Sequence, residues 1–443
     1  MKPAITFAIT GDTIVNRRIS VRTEERFLSL VRILRQADVS YTHLETLIHD
    51  YDGPETYPAA EAGWTWMRSP RFVPDDLRWA GFDLVSIASN HALDFSYGGL
   101  YSTWKALNDA GLVHAGTGKN LGEAREPAYL DTSKGRVALI SMCSTLTGWA
   151  KAGETRQDMM GRPGVNPLRY YHTIDAKKLE TVKQFFFSLG WEILQSGKLW
   201  LFNPPGLQMA TWKFVEADKK GLTTVAEEDD AEGNLRSIRD AARQADYVIV
   251  HLHSHEFQPD KGQSVPADFV PPFARACIDA GAHIFVCQGS HTPLRGIEIY
   301  KGRPIFYDPG DFMGMSDTVK KLPADYYFRP GYAPEVRGSQ ATPADAFDAK
   351  GALPKKLNPP GGNYAGRVVG SVVALCSLSE EGMLTELKLH PVNLTGAKPR
   401  SNKGLPMMAT PEMAGKIITH LGELSAPFGT KITYRDGCGL VKL

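Results

Sequence analysis

Cysteine is scarce in this chain: five in 443 residues, at Cys143, Cys277, Cys287, Cys376 and Cys438, with no Cys-x-x-Cys pair. That argues against a disulfide framework and fits a reducing compartment. Three of the five sit in apolar runs, where the thiol behaves as a small hydrophobe. Long apolar runs are absent too, and none approaches the roughly 20 residues of a membrane span. The run ahead of Gly11-Asp12 is too short for a signal-peptide core and lacks a cleavage site. The expectation is a soluble cytoplasmic chain without a membrane partner. An excess of charge is also lacking: 50 basic against 49 acidic residues leave a net +1. Nothing in that balance suggests a nucleic-acid partner or a polybasic surface. There is no internal repeat and no low-complexity tract.

What is present is an ordinary globular composition, 42% hydrophobic and 22% charged, with ample material for a core. The length suits two domains or one large α/β unit. Strand-like runs at Ala4–Ile9, Val39–Leu44, Phe82–Ala88 and Val137–Met142 alternate with helical spacing at 24–36, 75–80 and 99–110. In 24–36, Phe27, Leu30, Val31 and Leu34 share one face. The alternation predicts an α/β architecture. The stretch 144–245 breaks it and reads as an insertion near the site, with one helix at 176–189. Strands resume at Tyr247–Leu252 and 283–287, with a helix at 269–280 between them. Hairpins follow at 297–307 and 368–389, and a helix at 411–424.

Candidate ligands follow the strands. Asp12 follows the first, Glu45 the second, and Asn90-His91 the third. His251, His253 and His255 end a later strand, and His291 follows the next. In α/β sheets, ligand groups gather beyond the carboxyl ends of the strands. Carboxylate, amide and imidazole without thiolate suit zinc, manganese or iron. A nearby histidine outside the ligand set can protonate a leaving group. Each residue has a plainer reading as well. Gly11-Asp12 is an ordinary turn, Asn90 a common helix cap, and Glu45 a solvated or paired acid. The His251/His253/His255 cluster is the strongest feature, because alternate residues of a strand face one side. His114, His172, His283, His390 and His420 read as structural or surface residues, and Cys287 as core.

These motifs resemble the CapA family of capsule (poly-γ-glutamate) biosynthesis proteins. The resemblance rests on Gly11-Asp12, His43-Leu44-Glu45 and the specific block Ser89-Asn90-His91-Ala92-Leu93-Asp94. It continues through Leu252-His253-Ser254-His255-Glu256, Gly289-Ser290-His291 and Gly310-Asp311-Phe312, over about residues 4–395. It implies a four-layer α/β/β/α metallophosphatase-like sandwich, taken over residues 1–400, and 401–443 reads as a helical and strand extension packed on the core. It also implies a centre of one or two divalent metals (Mn, Zn or Fe). Asp12, Glu45, Asn90, His253 and His291 would be the ligands, His91 the acid and Asp94 its orienting partner. Three positions depart from the family pattern: His43 stands for asparagine, His253-Ser254-His255 for His-Trp-Gly, and Gln288 for histidine. His251, His255 and Gln288 are therefore additional candidate ligands. Arg162, Arg169 and Arg295 are candidates for holding a small anionic substrate, since guanidinium offers a planar fork. The leading expectation is hydrolysis of an amide, γ-glutamyl-like bond. A phosphoesterase, a metal-assisted lyase and a non-catalytic capsule-polymer binding or assembly protein stand as alternatives. A homo-oligomer is left open.

Overall fold

The computed structural model describes residues 4–62, 65–206, 211–219, 221–291, 294–316, 319–328, 340–348, 370–394, 396 and 399–443. The architecture is mixed α/β, and two large sheets organise it. In the larger, strand Ile5–Ile14 pairs parallel with Val39–Leu44 on one side and antiparallel with Ser371–Leu378 on the other. The parallel side continues to Leu84–Ser86 and Val113–Ala115. The antiparallel side continues to Leu384–Leu394 and then to Cys438–Lys442 and Lys431–Arg435. The expected start of the first hairpin strand, 368–369, lies outside the described residues.

The second sheet runs Arg295–Tyr300, Arg303–Asp308, Ile284–Gln288, Tyr247–His253, Gly135–Cys143, Ala128–Thr132. Its four inner strands are parallel.

Alternation along each strand decides what touches what. Phe7, Ile9 and Tyr41 of the larger sheet share one buried cluster with Val137, Leu139, Ile249 and Val286 of the second. The opposite faces carry helices. Ala8, Val85 and Val373 meet Phe27, Leu30 and Leu34 of helix Glu25–Gln36, with Leu77 of Val73–Ala80. Ala138, Ile140, Val248 and Val250 meet Ile238 of Glu228–Ala241 and Phe273 of Val270–Asp279. Each buried valine, leucine, isoleucine or phenylalanine here contributes about 1.5–3 kcal/mol. Cys287 lies in this outer cluster, as core. Helix Val73–Ala80 stops at Gly81, whose φ of 106° places it in the left-handed region that closes a helix. The chain then turns straight into strand Leu84–Ser86.

The segment expected as an insertion over 144–245 holds two kinds of structure. A five-stranded sheet and helix Ala176–Ser188 span residues 170–226 and bury their own cluster of Ile174, Leu179, Phe186, Phe202 and Phe214. Helix Glu228–Ala241 belongs instead to the layer over the second sheet, because Ile238 and Ala241 pack there. At the other end, Ile417, Ile418 and Leu421 of helix Pro411–Ser425 enter the cluster between the two sheets. The Thr410 side chain caps that helix by accepting from the Met413 N–H. Among the described residues, no helix is long and apolar enough to cross a membrane.

Candidate metal centre

The apolar filling between the sheets gives way to polar groups at the carboxyl ends of the parallel strands. Register sets the rows. Asp12 lies opposite His43, and His43 opposite Ser86. In the facing sheet, His251 lies opposite Ser141 and His253 opposite Cys143 and Gln288. Ile249 points into the shared core, so the two-residue period turns His251 and His253 the same way. Asp12, His43, Glu45, His251 and His253 are all fully buried.

Three loops complete the arrangement. His255 comes from the turn after strand Tyr247–His253, with Nε2 3.0 Å from His253 Nε2 and 3.7 Å from Glu45 Oε1. His291, at φ 58° in the left-handed region, places Nε2 3.5 Å from Glu45 Oε1 and Nδ1 3.8 Å from Asp12 Oδ2. Such backbone strain in a non-glycine residue persists only where its surroundings hold it. Asp311 Oδ1 lies 3.2 Å from His291 Nδ1. His253 Nε2 lies 3.0 Å from Asn90 Oδ1 and 3.5 Å from Glu45 Oε1. Glu256 fixes the His255 loop by accepting from the hydroxyls of Ser144, Thr145 and Ser254.

Both carboxylate oxygens of Asp12 and of Glu45 are buried without a hydrogen-bond partner, as are His43 Nε2, His251 Nε2 and His253 Nδ1. Buried polar atoms are almost always paired. Here carboxylate and imidazole atoms are left over in one place, within reach of a shared cation. Ligand atoms of Glu45, His255 and His291 lie within 4.8 Å of one another, and so do those of Asp12, His291 and Asp311. The donor set is oxygen and nitrogen with no thiolate, which fits Mn, Zn or Fe.

Electrostatics agree with that crowding. Burial and the Glu45 charge push the Asp12 carboxyl well above its usual range. Burial acts on Glu45 in the same direction, but His291, His255 and His91 outweigh it and hold Glu45 at about 2. Burial lowers His251 and His253 well below the ordinary imidazole value, and neighbouring imidazoles add to it.

Beside the carboxylates sits a histidine of a different kind. His91 Nδ1 is 2.6 Å from Asp94 Oδ2, and its Nε2 faces Glu45 Oε1 at 3.9 Å. Burial opposes its charge, yet Asp94, by charge and hydrogen bond, and Glu45 raise its pKa overall. His91 thus shares a raised pKa with His291, whereas His251 and His253 are lowered.

The family described as bacterial capsule synthesis protein PGA_cap matches residues 6–316. The chain belongs to that family. It is similar to uncharacterized protein y4sH of Sinorhizobium fredii, 34% identical over 99% of this chain and 93% of the relative. It is also similar to the PGA biosynthesis protein CapA of Bacillus subtilis, 31% identical over 34% of this chain and 40% of that protein. A crystal structure of a putative 5'-nucleotidase from Staphylococcus aureus, in complex with alpha-ketoglutarate, is similar at 13% identity. Its TM-score is 0.32, over 69% of this chain and 48% of that one.

In this PGA_cap chain, Asp12, Glu45, Asn90, His91, Asp94, His251, His253, His255 and His291 come together, whereas Gln288 and the three candidate arginines are engaged elsewhere. Gln288 donates its amide to the Thr10 carbonyl and accepts from the Tyr41 hydroxyl, so both its polar groups serve the scaffold. The fully buried Arg295 donates to the carbonyls of Gln263, Ser254 and Glu256. It props the histidine loop from behind. Arg169 pairs with Asp230 and Glu227, and Arg162 donates to the Lys151 carbonyl. Two site residues were not among the candidates, His43 and Asp311. The signal for Asp311 was available, since Gly310-Asp311 after a strand repeats Gly11-Asp12. A cavity of about 280 Å³ joins the inserted sheet to the centre, lined by Tyr170, His172, Leu222, His255, Glu256 and Phe257 among others.

Proposed function

We propose that this chain is a metal-dependent hydrolase cleaving an amide bond, of γ-glutamyl-like type, in a small anionic substrate. The observation that carries it is the group of unpartnered buried atoms on Asp12 and Glu45, ringed by imidazoles and flanked by the His91–Asp94 pair. The two helix-backed sheets are read as a four-layer α/β/β/α sandwich of metallophosphatase type, supported by the core the sheets share.

Asp12, Glu45, Asn90, His253, His255, His291 and Asp311 would hold the ion or ions. The chemistry an ion supplies there is Lewis-acid polarisation and activation of water. Glu45, kept ionised, gives that position its negative charge. His91 keeps Nδ1–H on Asp94 and offers a proton from Nε2 to the departing nitrogen. The cavity beneath the inserted sheet excludes water from one side and suits the uncharged part of a substrate. It has no lysine or arginine among its described lining residues, so the substrate's anionic group would be met at the cation. The amide assignment follows the relative named for PGA biosynthesis.

The test is metal content followed by a substrate screen. Purified protein is expected to hold a divalent metal, and γ-glutamyl amides to be turned over by the loaded chain but not by Asp12→Ala. Near-zero metal after loading sinks the hydrolase reading. Turnover of phosphoesters alone sinks the amide assignment.

A further inference from the structure

We propose that His43, His251 and His253 form a second, all-imidazole metal position, adjoining the carboxylate-rich one at His253 and suited to zinc or a similar borderline divalent ion. Their ligand atoms lie within 4.8 Å of one another, and all three side chains are fully buried. The inference goes beyond the hydrolase reading, because it needs only the three rings.

The hydrogen bonds around the trio decide which nitrogens are free. Gln288 donates its amide to the Thr10 carbonyl, so its Oε1 is the acceptor for the Tyr41 hydroxyl at 3.0 Å. Tyr41 has thus used its only proton. The Ser86 hydroxyl, 2.7 Å away, must donate to Tyr41. Ser86 Oγ and its carbonyl oxygen then both act as acceptors toward His43 Nδ1, at 2.9 and 3.0 Å. His43 Nδ1 therefore carries the hydrogen, and Nε2 is left as a lone pair. That Nε2 has no partner.

The other two rings are likewise engaged at one nitrogen. His251 Nδ1 is 2.9 Å from Ser141 Oγ, and its Nε2 has no partner. His253 Nε2 lies 3.0 Å from Asn90 Oδ1 and from His255 Nε2, and its Nδ1, 4.0 Å from Asp12 Oδ1, has no hydrogen-bond partner. Each ring is thus held through one nitrogen and free at the other, the arrangement that orients metal-ligating histidines. Packing explains the rings but not the nitrogens. His43 and His251 stack face to face, centroids 4.4 Å apart, and that contact satisfies no lone pair. Three neutral imidazoles offer borderline, uncharged nitrogen donors, which favours zinc over magnesium or calcium. One ring belongs to the larger sheet and two to the second, so the ion would tie the sheets together.

The experiment uses the full chain, stripped by chelation and reloaded with zinc, with bound equivalents counted by elemental analysis. His43→Asn and His251→Asn are each expected to lose about one equivalent relative to wild type, while His291→Ala keeps that equivalent. Wild-type stoichiometry in both His43→Asn and His251→Asn overturns the proposal and leaves the hydrolase reading standing. Loss in those two with no loss in His291→Ala or Asp12→Ala supports the trio and counts against the hydrolase centre. Should the substitutions prevent folding, anomalous diffraction from zinc-loaded wild-type crystals decides. A peak between the three rings is expected, and its absence overturns the proposal.

Discussion

His91 and Asp94, three residues apart, are joined by a 2.6 Å hydrogen bond, and Asp94 also accepts from the Met67 N–H at 2.6 Å. One oxygen, Oδ2, both accepts from the backbone and holds the imidazole, while Oδ1 is buried without a hydrogen-bond partner. His91→Asn is therefore expected to cut turnover by about 10²–10⁴-fold while leaving bound metal unchanged. Asp94→Asn removes the charge that raises the His91 pKa. A raised pKa keeps the acid protonated to higher pH, so the alkaline limb of the rate profile should move down in Asp94→Asn. An unmoved limb would show that His91 is not the acid.

Metal binding should release protons. Burial, with Glu45 and Asp308 adding to it and His291 opposing, raises the Asp311 carboxyl to about 6. Burial lowers His291, but Glu45, Asp311 and Asp12 outweigh it and raise its pKa well above the ordinary imidazole value. Both protons must leave before the groups can ligate. Affinity is expected to climb with pH through about 6 and to keep climbing above neutrality. Calorimetric titrations in buffers of different ionisation heat measure the release, and heats independent of buffer would contradict it.

The metal-free protein should lose stability in mild acid. Burial lowers the pKa of His43, His114 and His283 from 6.5 to about 4. Between those values the unfolded chain takes up protons that the folded chain refuses, so stability falls as pH drops from 6.5 toward 4. Below about 4 the folded rings protonate too, and this loss levels off. Urea midpoints across that range are the check, and a flat profile would refute it.

Arg295→Met is expected to destabilise the fold by about 2–4 kcal/mol, since it strands carbonyls that the guanidinium now satisfies. Two of those carbonyls, on Ser254 and Glu256, flank His255. Urea denaturation gives the magnitude. A change under about 0.5 kcal/mol, the range of an ordinary surface substitution, would mean the arginine is dispensable there.

Much of the scaffold was readable because its strands are short apolar runs with helices at regular spacing between them. The inserted sheet was not. Strands such as Glu192–Ser196 are largely exposed and carry little pattern. The histidine cluster was legible as a site but not as a geometry. The strand ends at His253, so the two-residue period aligns His251 with His253 and then stops, and His255 returns from the loop. His43 escaped for a related reason. Every residue of Val39–Leu44 is buried, so composition does not reveal which face meets the other sheet. Asp311 lies beyond a turn through Gly310, φ 80°, which no periodicity describes.

Gly11 has a bearing on how such a site can be lost. A Cβ there would sit 1.4 Å from the Gly310 carbonyl oxygen, and the Phe312 N–H donates to the Asp12 carbonyl at 2.8 Å. The two Gly-Asp turns lean on each other, one from the first strand and one from the far end of the fold. Any side chain at position 11 must push them apart, carrying Asp311 away from His291. A residue with no donor atom of its own thus sets the spacing of the acids. A single methyl group added there is expected to disturb the centre with every candidate ligand left in the sequence.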